Sequence, residues 1–190
     1  MDRTELRDVA PHALDQLISS VEFALDEDLA APSNLAGWSV ADVIGHVTGS
    51  VHKFGALLAG EEVSRARSEP ADWTSDDPVA ALRAEGQRVL SLLPDAPLDE
   101  LRPSPMGEVP LRIALQFPLV DTIVHAWDIQ HSIGRRLELA PDLLETAKGV
   151  TDRMDARGGG PVPGFDAPVP PADGDSPTQV LMKRLGRATD

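Results

Sequence analysis

The 190-residue chain contains no cysteine and no tyrosine, and only 4% of its residues are aromatic. Without cysteine it can form no disulfide, offer no thiolate nucleophile and supply no thiolate ligand for zinc. Without tyrosine it lacks one of the common general acids. Any thiol chemistry at this protein therefore has to use a thiol that another molecule provides.

Long apolar runs and positive charge are also scarce. The N-terminus, MDRTELRDVAPHALDQL, lacks the apolar centre of a signal peptide, and no apolar run approaches the roughly 18 residues of a membrane span. The 17 Lys and Arg residues face 31 Asp and Glu residues, which gives a net charge of −14. Such a charge disfavours nucleic acid and anionic membranes as partners. We expect a cytoplasmic protein that binds neither.

What is present indicates a globular helical protein, with 42% hydrophobic residues and a length that suits one domain over 1–190. Apolar residues at helical spacing predict helices over about 5–26, 39–60, 78–93, 111–133 and 141–154, with a short final helix in TQVLMKRLG. Ser39 and Asp42 have the spacing of a capping box. A short hairpin is predicted at MGEV. The fold class predicted from these elements is an all-α four-helix bundle with additional short C-terminal helices.

Residues 121–132, DTIVHAWDIQHS, place four polar side chains on one face of the fourth long helix: Asp121, His125, Asp128 and Ser132. The rest of the circumference is largely apolar, which is typical of a buried helix. A buried Asp and His must be paired or hold a metal, because an unpaired buried charge costs several kcal/mol. The spacing leaves a second interpretation open, a solvated face beside a wide apolar stripe. Pro118 predicts a kink just before Asp121.

A third metal ligand has to come from the other four histidines, His12, His46, His52 and His131. On a helical wheel of the second helix, His52 falls on the solvent side, whereas His46 falls on the flank of the apolar stripe and can converge on the fourth helix. The remaining two suit core or boundary positions. The best triad is therefore His46, Asp121 and His125. Two nitrogens and one carboxylate leave open positions on the metal and suit zinc, nickel or another divalent first-row ion.

Two blocks, LAGWSVADVIGHVTGSV and VDTIVHAWDIQHSIG, together resemble the DinB-like superfamily. Within it they are most similar to the N-terminal, metal-binding branch of the mycothiol-dependent maleylpyruvate isomerases. The ending GFDAPVPPADGDSPTQVLMKRLGR is also similar to this branch. The resemblance implies a DinB-like four-helix bundle whose metal ligands fall on His46, Asp121 and His125, the triad that the wheel selects. Asp121 stands where many members have Glu.

The resemblance further implies a metal-dependent enzyme in which a mycothiol-like thiol, activated by the metal, attacks an electrophilic small molecule in an S-transfer or isomerisation. No catalytic or cofactor-binding residue beyond the metal ligands is assigned. The isomerases carry an additional C-terminal domain, and we expect this chain to lack the groups there that bind the substrate diacid. The alternative is a non-catalytic bundle that binds a metal or small ligand, and the sequence leaves open whether the chain forms a homodimer.

Two tryptophans, one further aspartate and one long segment are expected to surround this triad. Trp38 and Trp127 are interpreted as core packing first and as pocket walls second, and Asp128 as a carboxylate that orients a ligand histidine. The stretch at 157–177 is too rich in Gly and Pro for regular structure and too long for a simple connector. We interpret it as a lid over the metal pocket, anchored by Phe165, with a mobile or exposed tail as the alternative.

Overall fold

The computed structural model of the protein describes residues 3–64, 66–104, 107–155 and 165–189. The helices are α1 (Arg3–Ala24), α2 (Val40–Ala59), α3 (Pro78–Leu92), α4 (Leu111–Ala114), α5 (Gln116–Ser132), α6 (Pro141–Asp155) and α7 (Pro177–Arg184). Strands β1 (Leu101–Ser104) and β2 (Gly107–Pro110) form one antiparallel hairpin at the predicted position. Single turns of 3-10 helix lie at Pro70–Trp73 and Leu93–Asp95.

The four long helices α1, α2, α3 and α5 form a bundle in which each packs against two neighbours. Helix α2 lies between α3 and α5, and α1 packs against the same two helices. Helix α6 lies against α1 and α5, and α7 lies against α6. The buried apolar side chains of these helices form a connected core. The all-α four-helix bundle with short additional helices is thus confirmed.

Local signals fix the ends of α2, the helix that carries His46. The Ser39 side chain accepts a hydrogen bond from the Asp42 backbone N–H, and the Asp42 carboxylate accepts one from the Ser39 N–H at 2.8 Å. This is the predicted capping box. At the other end Gly60 adopts the left-handed conformation with φ 75°, which glycine takes without steric cost. Across the described residues, no helix combines the length and the apolar character that crossing a membrane requires.

The helix predicted over 111–133 is divided into α4 and α5, with the break at Leu115. Pro118 explains the position of the break. It has no N–H to donate to the carbonyl of Ala114, and its ring excludes that carbonyl from a regular turn. The kink predicted just before Asp121 therefore lies further upstream, and Asp121 itself stands on the continuous part of α5.

Candidate metal centre

His46 lies on α2, which packs against α5, and a loop holds its ring. The residue is 8% exposed, and its Nδ1 lies 2.7 Å from the backbone carbonyl of Ser68. A carbonyl oxygen can only accept a hydrogen bond, so Nδ1 carries the proton and Nε2 keeps its lone pair. The hydrogen bond to Ser68 thus determines which nitrogen of His46 is protonated and leaves Nε2 facing Asp121.

Two glycines on either side of His46 let this loop approach α2. A Cβ atom at Gly45 would lie 2.6 Å from the carbonyl oxygen of Pro70, and one at Gly49 would lie 2.5 Å from Nε1 of Trp73. Both distances are well below the roughly 3.5–4.0 Å of normal contact. The absence of a side chain at these two positions therefore permits the close packing that brings Ser68 to His46.

His125 is held by a buried charged group instead of a loop. Its Nδ1 lies 2.9 Å from Oδ2 of Asp128, one turn further along α5. Arg187 donates to both oxygens of this carboxylate at 3.1 Å, and Nδ2 of Asn34 donates to Oδ1 at 2.7 Å. Asp128 is fully buried and Arg187 is 4% exposed. The predicted orienting role of Asp128 is matched by these contacts.

Asp128 is an anion in this environment. Burial alone would raise the pKa of its carboxyl, but the hydrogen bond from His125 and the charge of Arg187 lower that pKa to about 2. An ionised carboxylate only accepts hydrogen bonds, so Nδ1 of His125 carries a proton and donates it to Asp128, which leaves Nε2 as the ring atom that can bind a metal. Carboxylates in this position are typical partners of metal-binding imidazoles.

Asp121 completes the cluster from one turn earlier on α5. Its side chain is 31% exposed and its Oδ2 accepts a hydrogen bond from Ser50 at 2.9 Å. The same oxygen lies 3.8 Å from Nε2 of His46. The rings of His46 and His125 meet edge to face, with their centroids 5.0 Å apart. One ligand atom from each of the three residues lies within 4.8 Å of the other two.

This donor set fits a divalent first-row ion. Such an ion binds imidazole nitrogen and carboxylate oxygen at about 2.0–2.2 Å, so two donors on one tetrahedral ion lie about 3.3–3.6 Å apart. The three ligand atoms, which lie within 4.8 Å of one another, have to close by up to about 1.5 Å on binding, which rotations of the side chains supply. Burial, and then the neighbouring His125, lowers the pKa of His46, so its imidazole is neutral, as a metal ligand must be. Among the described residues no other group of this kind comes together.

The polar face of α5 turns inward. His125 and Asp128 are buried, Asp121 and Ser132 are half-buried, and the Ser132 hydroxyl accepts a hydrogen bond from the backbone N–H of Asn34 at 3.0 Å. The interpretation of this face as a solvated surface is therefore wrong, and the alternative of a polar seam inside the bundle is confirmed.

The other histidines lie outside the cluster. His12, predicted at a core or boundary position, is exposed on α1 with its Nδ1 2.8 Å from Asp142, and His131, which is half-buried, stacks on Trp127 with ring centroids 4.5 Å apart. His52, predicted on the solvent side, is half-buried with Nδ1 3.2 Å from Glu85. The wheel of α2 placed it wrongly because α3 covers that side of the helix.

Trp38 and Trp127, the two tryptophans given a predicted role, behave as core residues first. Trp127 is buried, and Trp38 packs against the core with its ring edge-on to that of His46, the two centroids being 5.0 Å apart. Neither belongs to the lining of the cavity beside the cluster. Trp38 nevertheless contacts a candidate metal ligand.

A cavity of about 560 Å³ opens beside the cluster, and both His46 and Asp121 line it. Its other walls come from α2, from the beginning of α5, from β1 and from the loop residues 61–64 and 66–68. The volume lies within the usual range of small-molecule sites, about 300–1,000 Å³. The lining includes the polar or charged residues Ser50, Lys53, Arg67 and Arg102 and the apolar residues Leu57, Val63, Phe117 and Pro118.

The lid predicted at 157–177 lies partly outside the described residues, which resume at Phe165. Phe165 packs against the core, and the Arg187 guanidinium lies 5.1 Å from its ring centroid. The residues described after it, up to 177, do not line the cavity, whereas the loop residues 61–64 and 66–68 do. The lid stays a prediction for the part of the segment that precedes Phe165.

The fold and the cluster together define the class of protein: a DinB-like helical bundle with a candidate metal centre built from two facing helices. The family described as the mycothiol maleylpyruvate isomerase N-terminal domain matches residues 7–130, and the chain belongs to this family. The match contains all three cluster residues and ends before Arg187.

Two relatives, both uncharacterised proteins of Mycobacterium tuberculosis, come from strains CDC 1551 / Oshkosh and ATCC 25618 / H37Rv. Each is 26% identical to the chain over 120 residues, which is 62% of this chain and 61% of the relative. The chain therefore matches less than two thirds of their length. No solved structure matches the chain.

The groups that hold the two histidines were not predicted from the sequence. Ser68 and Asn34 lie in loops whose course no periodicity reveals, and Arg187 lies more than fifty residues after its partner Asp128. Two signals were available. The glycines at 45 and 49 flank His46 within one helix, and Arg187 ends the LGR motif of the C-terminal segment.

Proposed function

We propose that His46, Asp121 and His125 bind one divalent metal ion, zinc or nickel, and that the protein is an enzyme of low-molecular-weight thiols. Its co-substrate would be mycothiol or a similar thiol, and its substrate an electrophilic small molecule that undergoes S-transfer or isomerisation. The observation that carries this proposal is the convergence of the three side chains beside a cavity of small-molecule size. The family, whose description names mycothiol, supports the thiol.

The residues of the chain prepare the ligands for this task. Ser68 and Asp128 keep the proton of each histidine on Nδ1, so each Nε2 offers a lone pair, and Ser50 steadies the carboxylate of Asp121. Three protein ligands leave at least one position open, as in catalytic zinc sites. A metal bound there would supply Lewis-acid chemistry and lower the pKa of a coordinated thiol.

The thiol must come from the co-substrate, because the chain has no cysteine. In the transfer the thiol gives up its proton to solvent, and a bond forms between its sulfur and the electrophilic carbon. The electron pair of the broken bond leaves with a leaving group, or moves along a conjugated double bond that is then protonated by solvent. No residue of the chain is assigned to these proton transfers.

Metal analysis and a thiol-consumption assay test the proposal. Wild type and His131→Ala, the control on the same helix, should each hold about one divalent ion per chain, whereas His125→Ala should hold none. The zinc-loaded wild type should consume mycothiol in the presence of an activated alkene or alkyl halide, and a chelator should stop it. Metal binding without thiol consumption would favour the non-catalytic bundle. Full occupancy of His125→Ala would refute the site.

A further inference from the structure

A short turn at residues 33–38, just before α2, contacts groups that hold both ligand histidines. The turn is closed by its own hydrogen bonds. The Ser33 N–H donates to the carbonyl of Trp38 at 2.8 Å, and the Trp38 N–H donates to the carbonyl of Leu35 at 3.0 Å. The Ser33 hydroxyl accepts a further hydrogen bond from the Leu35 N–H at 3.1 Å, an arrangement that serine often forms in turns. The turn therefore keeps Asn34 and Trp38 at a fixed separation.

Asn34 attaches this turn to α5. Its backbone N–H donates to the Ser132 hydroxyl at 3.0 Å, and its Nδ2 donates to Oδ1 of Asp128 at 2.7 Å. Its Oδ1 lies 3.1 Å from the same Ser132 hydroxyl. The orientation of the amide is determined, because an ionised carboxylate accepts hydrogen bonds and cannot donate one. Asn34 thus holds the carboxylate that in turn holds His125.

Trp38 connects the same turn to the other ligand histidine. Its ring meets that of His46 edge-on, with the two planes inclined by 62°. The Arg67 guanidinium lies 5.2 Å from the centroid of the Trp38 ring, and Arg67 directly precedes Ser68, whose carbonyl accepts the hydrogen bond from His46. Edge-on aromatic pairs and cations over an indole ring are both attractive contacts. Trp38 therefore contacts one ligand ring and also the loop that holds this ring.

The distance between the two ligand rings depends on how α2 and α5 are held against each other, because His46 stands on one helix and His125 on the other. Apolar side chains can shift past one another, whereas hydrogen bonds require set distances and angles. The ligand atoms of the cluster lie within 4.8 Å of one another, and binding of one ion requires them to move closer. A turn that is attached to the supports of both rings has to move with them.

We propose that the 33–38 turn is a clip that sets the separation of the two ligand histidines, an inference that rests on the metal centre proposed above. Asn34 and Trp38 are its positioning residues, and they act on the metal through Asp128 and through His46. The clip determines how closely the two Nε2 atoms approach each other, and with this distance the coordination geometry and the affinity. Because coupling between two sites is reciprocal, a bound metal also holds the turn more tightly.

Zinc affinity and the visible absorption spectrum of bound cobalt(II), which reports coordination geometry, test the proposal. Asn34→Ala should weaken zinc binding about 10- to 100-fold, the usual effect of losing a group that orients a ligand, and should change the cobalt spectrum. Trp38→Leu should weaken zinc binding about 2- to 10-fold, and Trp38→Phe, which keeps an aromatic ring, should restore both affinity and spectrum. The control is Leu35→Ala, because Leu35 packs against the core from the same turn. It should lower stability towards urea and leave the cobalt spectrum unchanged.

Hydrogen exchange of the wild type gives a second test that needs no substitution. Zinc should slow exchange of the amide protons of Ser33, Asn34 and Trp38 at least about five-fold, the lower end of the usual coupling between sites. The amide proton of Ala96, which is hydrogen-bonded in a turn after α3, should not respond.

A cobalt spectrum that Asn34→Ala leaves unchanged, or that Leu35→Ala changes to the same extent, would overturn the proposal. It would also be overturned if Trp38→Phe behaved like Trp38→Leu, or if exchange in the turn did not respond to zinc. Absence of zinc and cobalt binding in the wild type would refute the metal centre itself, whereas equally tight binding by wild type and by Asn34→Ala would refute the clip alone. The two failures are therefore distinguishable.

Discussion

His46 and His125 present the same ring atom to the same point, yet the molecule holds them in different ways. His125 is fixed by Asp128, whose charge is matched by Arg187 in a fully buried pair. His46 is fixed by the neutral carbonyl of Ser68, in a loop whose neighbouring residues also line the cavity.

The difference separates a closed side of the cluster, formed by His125 with Asp128 and Arg187, from an open side, formed by His46 and the loop that carries Ser68. On the closed side a buried ion pair depends on complete pairing, because removing one partner leaves a charge without compensation. On the open side a single hydrogen bond to the carbonyl of Ser68 holds the ring, and the loop that carries Ser68 also borders the cavity where a ligand would lie. We expect changes on the closed side to have the larger effect on stability.

Loss of Arg187 should have the largest effect. Arg187→Met leaves the Asp128 anion buried without its cation, which should lower the free energy of unfolding by about 3–5 kcal/mol. It should also weaken zinc binding about 10- to 100-fold, the usual effect of losing a group that orients a ligand. Urea unfolding and zinc titration against a competing chelator measure the two effects.

Two further variants sharpen this result. Arg184→Met changes an arginine that pairs with Asp152 and is more exposed, and it should change stability by less than about 1 kcal/mol. The double variant Asp128→Asn with Arg187→Met removes both buried charges, so it should regain stability without regaining zinc affinity. If Arg187→Met behaved like Arg184→Met, the closed side would not depend on this pair.

Pushing the loop away tests the open side. Gly45→Ala places a Cβ atom where the carbonyl oxygen of Pro70 lies 2.6 Å away, so the loop must move and Ser68 must release His46. We expect a loss of about 1–3 kcal/mol in unfolding free energy and weaker zinc binding. Gly55→Ala, the same change in the same helix, meets only the flexible side chain of Arg88 at 3.3 Å. It should be neutral or stabilising by up to about 1 kcal/mol. Equal effects of the two variants would contradict this account of the loop.

The capping box of α2 should give the smallest effect, on stability alone. Hydrogen bonds from the backbone and side chain of Ser39 lower the pKa of Asp42 below its usual 3.8. A carboxyl group with a lower pKa in the folded state stabilises the fold above its unfolded pKa and loses this effect as the pH falls through its folded pKa. Asp42→Ala should therefore cost about 0.3–1 kcal/mol at pH 7, and the difference from wild type should narrow below about pH 4. Zinc affinity at pH 7 should not change, and a marked loss would show that the helix end and the site are coupled.

Much of the fold could be predicted because local signals determine it. Ser39, Asp42 and Gly60 mark the ends of α2 through hydrogen bonds and backbone conformation within a few residues. The triad could be selected because α2 and α5 each place histidine on or beside a face that turns into the bundle, and few pairs of such residues can come within reach of one metal ion. The single-domain organisation over 1–190 stays a prediction.

The features that could not be predicted depend on contacts between segments that lie far apart in the sequence. No local pattern shows that α3 would cover His52, that Ser68 would reach His46, or that Arg187 would find Asp128. The break at Leu115 is a local effect of Pro118. It lies upstream of the proline because the hydrogen bond that Pro118 cannot make is the one to the carbonyl of Ala114, four residues earlier.

The central claim is that one metal ion binds the Nε2 atoms of His46 and His125 together with Asp121. The most direct measurement is a long-range proton–nitrogen NMR spectrum of the histidine side chains, recorded with and without one equivalent of zinc. We predict that Nδ1 of His46 and of His125 is protonated in both samples and that zinc shifts the Nε2 signals of these two rings, with His12, His52 and His131 unchanged. Nε2 signals of His46 and His125 that do not respond to zinc, or a response at His52 or His131 instead, would contradict it.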